Sequence, residues 1–148
     1  MAVTASGLFY ITFRDALSNT IALDLGAEDH KIALISNSAT PAFDTHDYWA
    51  DLSAYEVTGT NWAAGGVALT GTAFSVSTGT LLWDATDVSV ASTTLSAARG
   101  GVIYADSIAN DPLIVLVNFG ADYSTSNGTF AITWSSSPAC VFSIDLTP

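Results

Sequence analysis

VALTGTAFSVSTGTLLWDATDVSVA, residues 67–91, decides the fold. Short apolar runs at Val67–Leu69, Ala73–Val76, Thr80–Asp84 and Val88–Ala91 are separated by Gly, Ser, Thr and Asp. Runs of this length, bounded by turn-forming residues and closely spaced, are strands of a sandwich or barrel rather than helices. The pattern continues through Gly100–Tyr104, Leu113–Phe119, Thr129–Trp134 and Cys140–Leu146. In the run TFAITW, Phe130, Ile132 and Trp134 alternate with smaller residues, so all three should face the core. Leu113–Val117 is apolar at every position, as expected for a strand covered on both faces. Asn127-Gly128 is a tight-turn signal.

Upstream, Lys31–Ser36 (KIALIS) is a strand, and Ile21, Leu23 and Leu25 form a short period-2 run. Phe9, Phe13, Ala16 and Leu17 recur at helical spacing, which predicts a helix over about 7–18 with Ser6 before it and Asn19 after it. The β-favouring residues Phe9 to Phe13 make a strand the rival reading. Phe43 and Tyr48 flank Asp44 with the spacing of a hydrophobic staple, predicting a short helix at about 45–52. The expectation is a mainly β chain, a β-sandwich or jelly-roll-like fold with one or two short helices, in a single domain over 1–148. Residues 1–6 would form a loose arm, and 7–30 would be available to a partner.

Between the N-terminal region and these strands lies Tyr48–Leu69, YWADLSAYEVTGTNWAAGGVAL. Tyr48, Trp49, Tyr55 and Trp62 bring large ring surfaces. Gly65-Gly66 permits positive φ or a close backbone approach. Glu56 is the acid expected to be partly buried, fixing a turn through backbone N–H groups.

With 148 residues the chain can bury a sizeable core. Only Arg14, Lys31 and Arg99 are basic against 14 acidic residues, giving a net charge of −11. No basic stripe can be assembled, which argues against nucleic acid and against anionic membranes as partners. Charged residues make up 11% against about 25% in typical domains. Part of the apolar surface is therefore expected to be covered by other subunits. Cys140, the single cysteine, sits in an apolar run and reads as a buried, inert thiol. The N-terminus lacks a positive leader region, and no apolar run is long enough for a membrane helix.

Catalytic patterns are missing: there is no GxSxG, GxGxxG, Walker or HExxH motif. His46 lies among Asp44, Asp47 and Asp51, a set read as a solvated helix face in preference to a metal or base site. The loop pairs Asp44/Asp47, Asp84/Asp87 and Asp106/Asp111 are of a kind that can hold Ca²⁺, but no EF-hand spacing supports it and Asp is a common turn residue. No cofactor is assigned. Asn127-Gly128-Thr129 matches a glycosylation sequon.

Lys31–Ser36, the centre HDYWADLSAYEVTGTNWAAGGVAL (46–69), the stretch SVASTTLSAAR (89–99) and the segment VNFGADYSTSNGTFAITW (117–134) together resemble a family of small virion proteins of tailed bacteriophages. The third element departs from the family, with Val90 near a customary tryptophan and Gly100-Gly101 after the arginine. The resemblance spans roughly 30–146 and its motifs are structural. It implies a non-enzymatic, β-rich virion subunit, made in the cytoplasm of a bacterial host, that forms homo-oligomers and binds other virion proteins. The major capsid protein is favoured as partner, in a capsid decoration or minor capsid role; a tail-associated role comes second. Fold integrity would rest on Trp49, Glu56, Trp62, Gly65, Gly66, Arg99 and Trp134, with Arg99 paired to a carboxylate such as Glu56. The N-terminal arm and Tyr48 with the rest of 45–52 are interface candidates. A carbohydrate-binding module stacking sugars on Tyr48, Trp49, Tyr55 or Trp62 is the alternative.

Overall fold

The computed structural model describes residues 2–27, 29–136 and 139–147. Its strands are β1 (Gly7–Leu8), β2 (His30–Ser36), β3 (Glu56–Val57), β4 (Val67–Ala68), β5 (Ala73–Ser77), β6 (Thr80–Asp84), β7 (Val88–Ala105), β8 (Leu113–Ile132), β9 (Ser135–Ser136), β10 (Ala139–Cys140) and β11 (Phe142–Asp145). One α-helix, α1 (Tyr10–Leu17), and two 3-10 turns at Trp49–Asp51 and Ser53–Tyr55 complete the described elements. The protein is mainly β, with antiparallel sheets and one helix.

The main sheet runs β1-β8-β7-β2-β3, and β4 also pairs with β2. Side-chain alternation splits its residues between two apolar clusters. Ile32 and Leu34 of β2 and Ile103 of β7 face one cluster, whereas Ala33, Ile35, Val102 and Tyr104 face the other. The sheet is thus buried on both faces, as the unbroken apolar runs require. A three-stranded sheet, β11-β6-β5, covers the first face through Trp83 and Phe142. Trp83 is fully buried, and its indole N–H donates to the Leu25 carbonyl at 2.5 Å. On the opposite face Phe9, Trp49 and Leu52 pack with Val3, Leu113 and Leu116.

Several expected features take a different form. The runs Val88–Ala91 and Gly100–Tyr104 belong to one 18-residue strand, and Leu113–Phe119 and Thr129–Trp134 lie in or just beyond one 20-residue strand. Asn127-Gly128 is accordingly no hairpin turn. Asn127 has φ 49°, and the register with β7 shifts there, so the pair forms a bulge in a continuing strand. Ile21–Leu25 forms no strand; this segment is a connection whose Leu25 supplies the carbonyl for Trp83. The helix begins at Tyr10, because Gly7 and Leu8 are extended and pair with Leu116 and Val115. Its Ser6 caps nothing: that hydroxyl accepts from the Asn118 N–H at 2.9 Å. Leu17 is 89% exposed despite its helical spacing. The start of the chain is not a loose arm either, since Val3 is buried and its N–H donates to Asn37 Oδ1 at 3.2 Å.

The predicted staple around Asp44 is replaced by another arrangement. Phe43 packs on Phe9 at 5.3 Å between centroids. The 3-10 turn starts instead at Trp49, and the Asp51 carboxylate reaches back to accept from the N–H groups of Asp47 (2.9 Å) and Tyr48 (3.1 Å). Those two donors hold the Asp51 carboxyl below its ordinary range, the Asp47 N–H first.

His30 at the start of β2 is fully buried, edge-on to Trp83 at 5.1 Å. Burial lowers its imidazole pKa below the ordinary 6.5, although Asp29 opposes the shift. A depressed folded pKa gives stability that is complete above about 6.5 and is lost as pH falls toward the folded value. Urea midpoints should therefore drop between about pH 7.5 and 5.5 in the wild type, while His30→Phe, which keeps a ring against Trp83, should flatten that limb. An unchanged slope in the variant would remove His30 as its source.

Candidate functional site

The segment Tyr48–Leu69 is fastened to the main sheet at three points, with Tyr104 at the end of β7 as the first. Trp49 stacks on the Tyr104 ring with centroids 5.3 Å apart and an interplanar angle of 4°. The Tyr104 hydroxyl donates to the Gly65 carbonyl at 2.6 Å. Burial, with Asp106, Asp111 and Glu56 adding, pushes the Tyr104 phenol far above its ordinary range, so it remains a donor. On the other side of the same peptide region, Glu56 Oε1 accepts from the Gly65 N–H at 2.7 Å. Glu56 thus fixes the turn through a backbone N–H. Burial raises its pKa, opposed by that hydrogen bond.

Gly66 supplies the second point. Its φ of 77° is in the left-handed region, and a Cβ there would meet the Ile32 carbonyl of β2. Gly65, with φ 85°, has more room, its nearest atom being the Tyr104 hydroxyl oxygen at 3.4 Å from a built Cβ. The two adjacent glycines therefore do different things: Gly65 makes the turn and Gly66 allows β2 and the segment to touch.

At the third point the segment meets β7. Gly59 and Trp62 exchange backbone hydrogen bonds, and Thr60 bridges to Thr94. Asn61, with φ 58°, donates from Nδ2 to the carbonyls of Ala91 (3.3 Å) and Ser92 (3.2 Å). These contacts seat Trp62 in the core, fully buried and edge-on to Phe130 at 5.5 Å. Trp134 is buried as well. Its indole N–H donates to the Thr86 carbonyl at 3.0 Å, and its backbone N–H donates to Asp87 Oδ1 at 2.9 Å.

Trp49, Glu56, Gly65 and Gly66 are thus brought together around Tyr104, whereas Arg99 lies elsewhere. Its expected partner Glu56 is replaced by Asp122, reached at 2.6 Å from Nε, with Nη1 also donating to the Gly120 carbonyl at 3.3 Å. The register explains the exchange. Ala98 pairs with Tyr123 and Gly100 with Asn118, so Arg99 alone opposes four residues, Phe119 to Asp122. Arg99 clamps this wide bulge. Tyr104 and Asp122 were both missed; a tyrosine ending an apolar strand was a signal, since a buried phenol needs a partner.

With Trp49 and Trp62 buried, only Tyr48 (38% exposed) and Tyr55 (37%) of the proposed sugar platform face solvent. His46 Nδ1 accepts from the Ala42 N–H at 3.4 Å, and its loop is held by backbone contacts. Asp106 pairs with Lys31 at 2.9 Å. Among the described residues no three His, Cys, Asp or Glu side chains converge to hold a metal ion. Cys140 is buried, and burial raises its thiol pKa.

Glu56 tests the turn directly. A raised carboxyl pKa means its stabilising contribution is complete below the unfolded value and is lost as pH rises through the folded one. Glu56→Gln keeps an acceptor for the Gly65 N–H without the charge. It should match the wild type at low pH and equal or exceed it at neutral pH in urea unfolding, whereas Glu56→Ala should lose about 1 kcal/mol. Gly66→Ala should cost more than about 2 kcal/mol and exceed Gly65→Ala, measured the same way. Equal costs would refute the separate roles of the two glycines. No protein family, curated protein or solved structure matches this chain.

Proposed function

We propose that the chain is a non-enzymatic structural subunit of a bacteriophage virion, in a capsid decoration or minor capsid role and bound to the major capsid protein. The observation that carries this reading is the fate of the residues behind the virion-protein resemblance. Trp49, Glu56, Gly65 and Gly66 are spent on locking one segment to the sheet, around the Tyr104 hydroxyl and the Gly65 peptide. A motif spent on backbone geometry suits a subunit whose product is a shape. The paired state of the three cations adds support. Arg14, Lys31 and Arg99 each meet an aspartate, at 2.7, 2.9 and 2.6 Å, which leaves the excess acidic charge to the surface. Such a surface favours a partner that presents basic groups and holds free subunits apart.

Co-sedimentation of the purified chain with particles lacking it is the test. Saturable loading onto capsids that weakens as salt rises is expected, because exposed charges more than about 10 Å apart are largely screened at 0.1 M salt. Attachment to tails alone would move the protein to a tail-associated role. Binding to neither, with retention on a glycan column, would replace this reading by the carbohydrate-binding one.

A further inference from the structure

Among the described residues, one side of β5 and part of one side of β8 have no neighbouring strand. β5 is the outer strand of the three-stranded sheet, and all five of its residues are exposed. Phe74 and Val76 share the sheet face of Trp83, yet they are 45% and 71% exposed where Trp83 is fully buried. The strand pairs with β6 in unbroken register and carries no Lys, Pro, charge or bulge, the devices that normally protect an edge. A second unpaired edge belongs to β8. Beyond the pairing of Leu116 with β1, β8 has only β7 beside it among the described residues. Here residues 129–134, together with Phe119 and Tyr123, line a groove of about 530 Å³. Along that stretch Phe130, Ile132 and Trp134 are buried and Thr129, Ala131 and Thr133 exposed, so the backbone is extended, and its side away from β7 has no strand partner among the described residues.

Charge identifies the occupant. The two longest stretches without Asp, Glu, Lys or Arg are 57–83 and 123–144, and they contain β5 and the groove wall. Elsewhere, two copies at −11 each would set carboxylates against carboxylates. Uncharged edges offer no attraction to a basic partner, but they let identical acidic chains approach. One edge offers protruding apolar side chains and the other an aromatic-walled groove.

We propose that β5 of one copy adds as a strand to the 129–134 edge of a second copy, placing Phe74 or Val76 in its groove. The proposal rests on the reading of the chain as an assembly subunit and names the chain itself as a partner. Because two different patches meet, the contact is head to tail and propagates into a ring or an open filament.

The test is light scattering of the full chain across concentration and salt. Oligomers should grow with concentration and strengthen with added salt, as repulsion between copies is screened. Val76→Lys and Ala131→Lys replace exposed residues, with Thr129→Lys as a second variant of the groove wall. Each should keep its circular dichroism and weaken association by about tenfold or more, the cost of a charge in a paired edge. Mixed in equal amounts, Val76→Lys and Ala131→Lys retain one working edge each and should form a dimer that grows no further. A wild type that stays monomeric, an Ala131→Lys variant that assembles normally, or a mixture that remains monomeric would overturn the pairing. Monomers that load onto particles would overturn it while leaving the virion reading intact; edge-dependent oligomers that ignore particles would do the reverse.

Discussion

The hydrogen bond from the Tyr104 hydroxyl to the Gly65 carbonyl is the contact on which the rest of this architecture depends. It joins the end of the longest hairpin to a connection that would otherwise have no strand of useful length to hold it. Around that bond Trp49 lies flat on the phenol ring, and Glu56 takes the neighbouring N–H. A buried hydroxyl without a partner costs roughly 1–3 kcal/mol, so the connection and the sheet hold each other in place. The positions of Trp62 in one cluster and Trp49 in the other follow, because both ride on the fastened segment.

Cohesion here owes little to charge. Arg14–Asp15 and Arg99–Asp122 are surface pairs, and such pairs contribute about 1 kcal/mol or less. What replaces them is apolar burial on both faces of one sheet, together with hydroxyl groups that repair its irregularities. Thr93 Oγ1 donates to the Gly128 carbonyl at 2.9 Å, and Thr125 Oγ1 accepts from the Leu95 N–H at 3.1 Å, both where the ladder loses register. The abundance of Ser and Thr is in part a supply of such plugs.

Local pattern made much of this legible. KIALIS was legible as a strand, and Leu113–Val117 and TFAITW carry their burial in their own continuity or alternation, so Leu116, Phe130, Ile132 and Trp134 were placed correctly from sequence. Continuity between runs was not legible. Ser92, Ala97 and Asn127 have positive φ within β7 and β8, and the same residues that end a strand elsewhere only bend it here. The choice depends on whether a neighbour continues to pair, which is tertiary information. For the same reason Glu56 was assigned its turn-fixing role but Arg99 the wrong carboxylate. Glu56 meets a backbone N–H nine residues away, whereas Asp122, 23 residues from Arg99, is brought near only by the bulge between them.

The long hairpin also sets the order in which the chain can come together. Its innermost pair, Tyr104 with Leu113, closes a separation of 113 − 104 = 9 residues, and its outermost, Val88 with Ile132, one of 132 − 88 = 44. Zipping outward from residues 106–112 makes every new pair local to the one before it, so no single step carries the full entropy of closing a long loop. Each bulge interrupts that progress and must find its own register before the next pair can form. β2 is far in sequence from its partner strand, with 102 − 33 = 69 residues between Ala33 and Val102, so it docks on a ribbon whose own pairs are closer in sequence. The ribbon is therefore the template, and the geometry of its inner end is what the later-arriving strand reads.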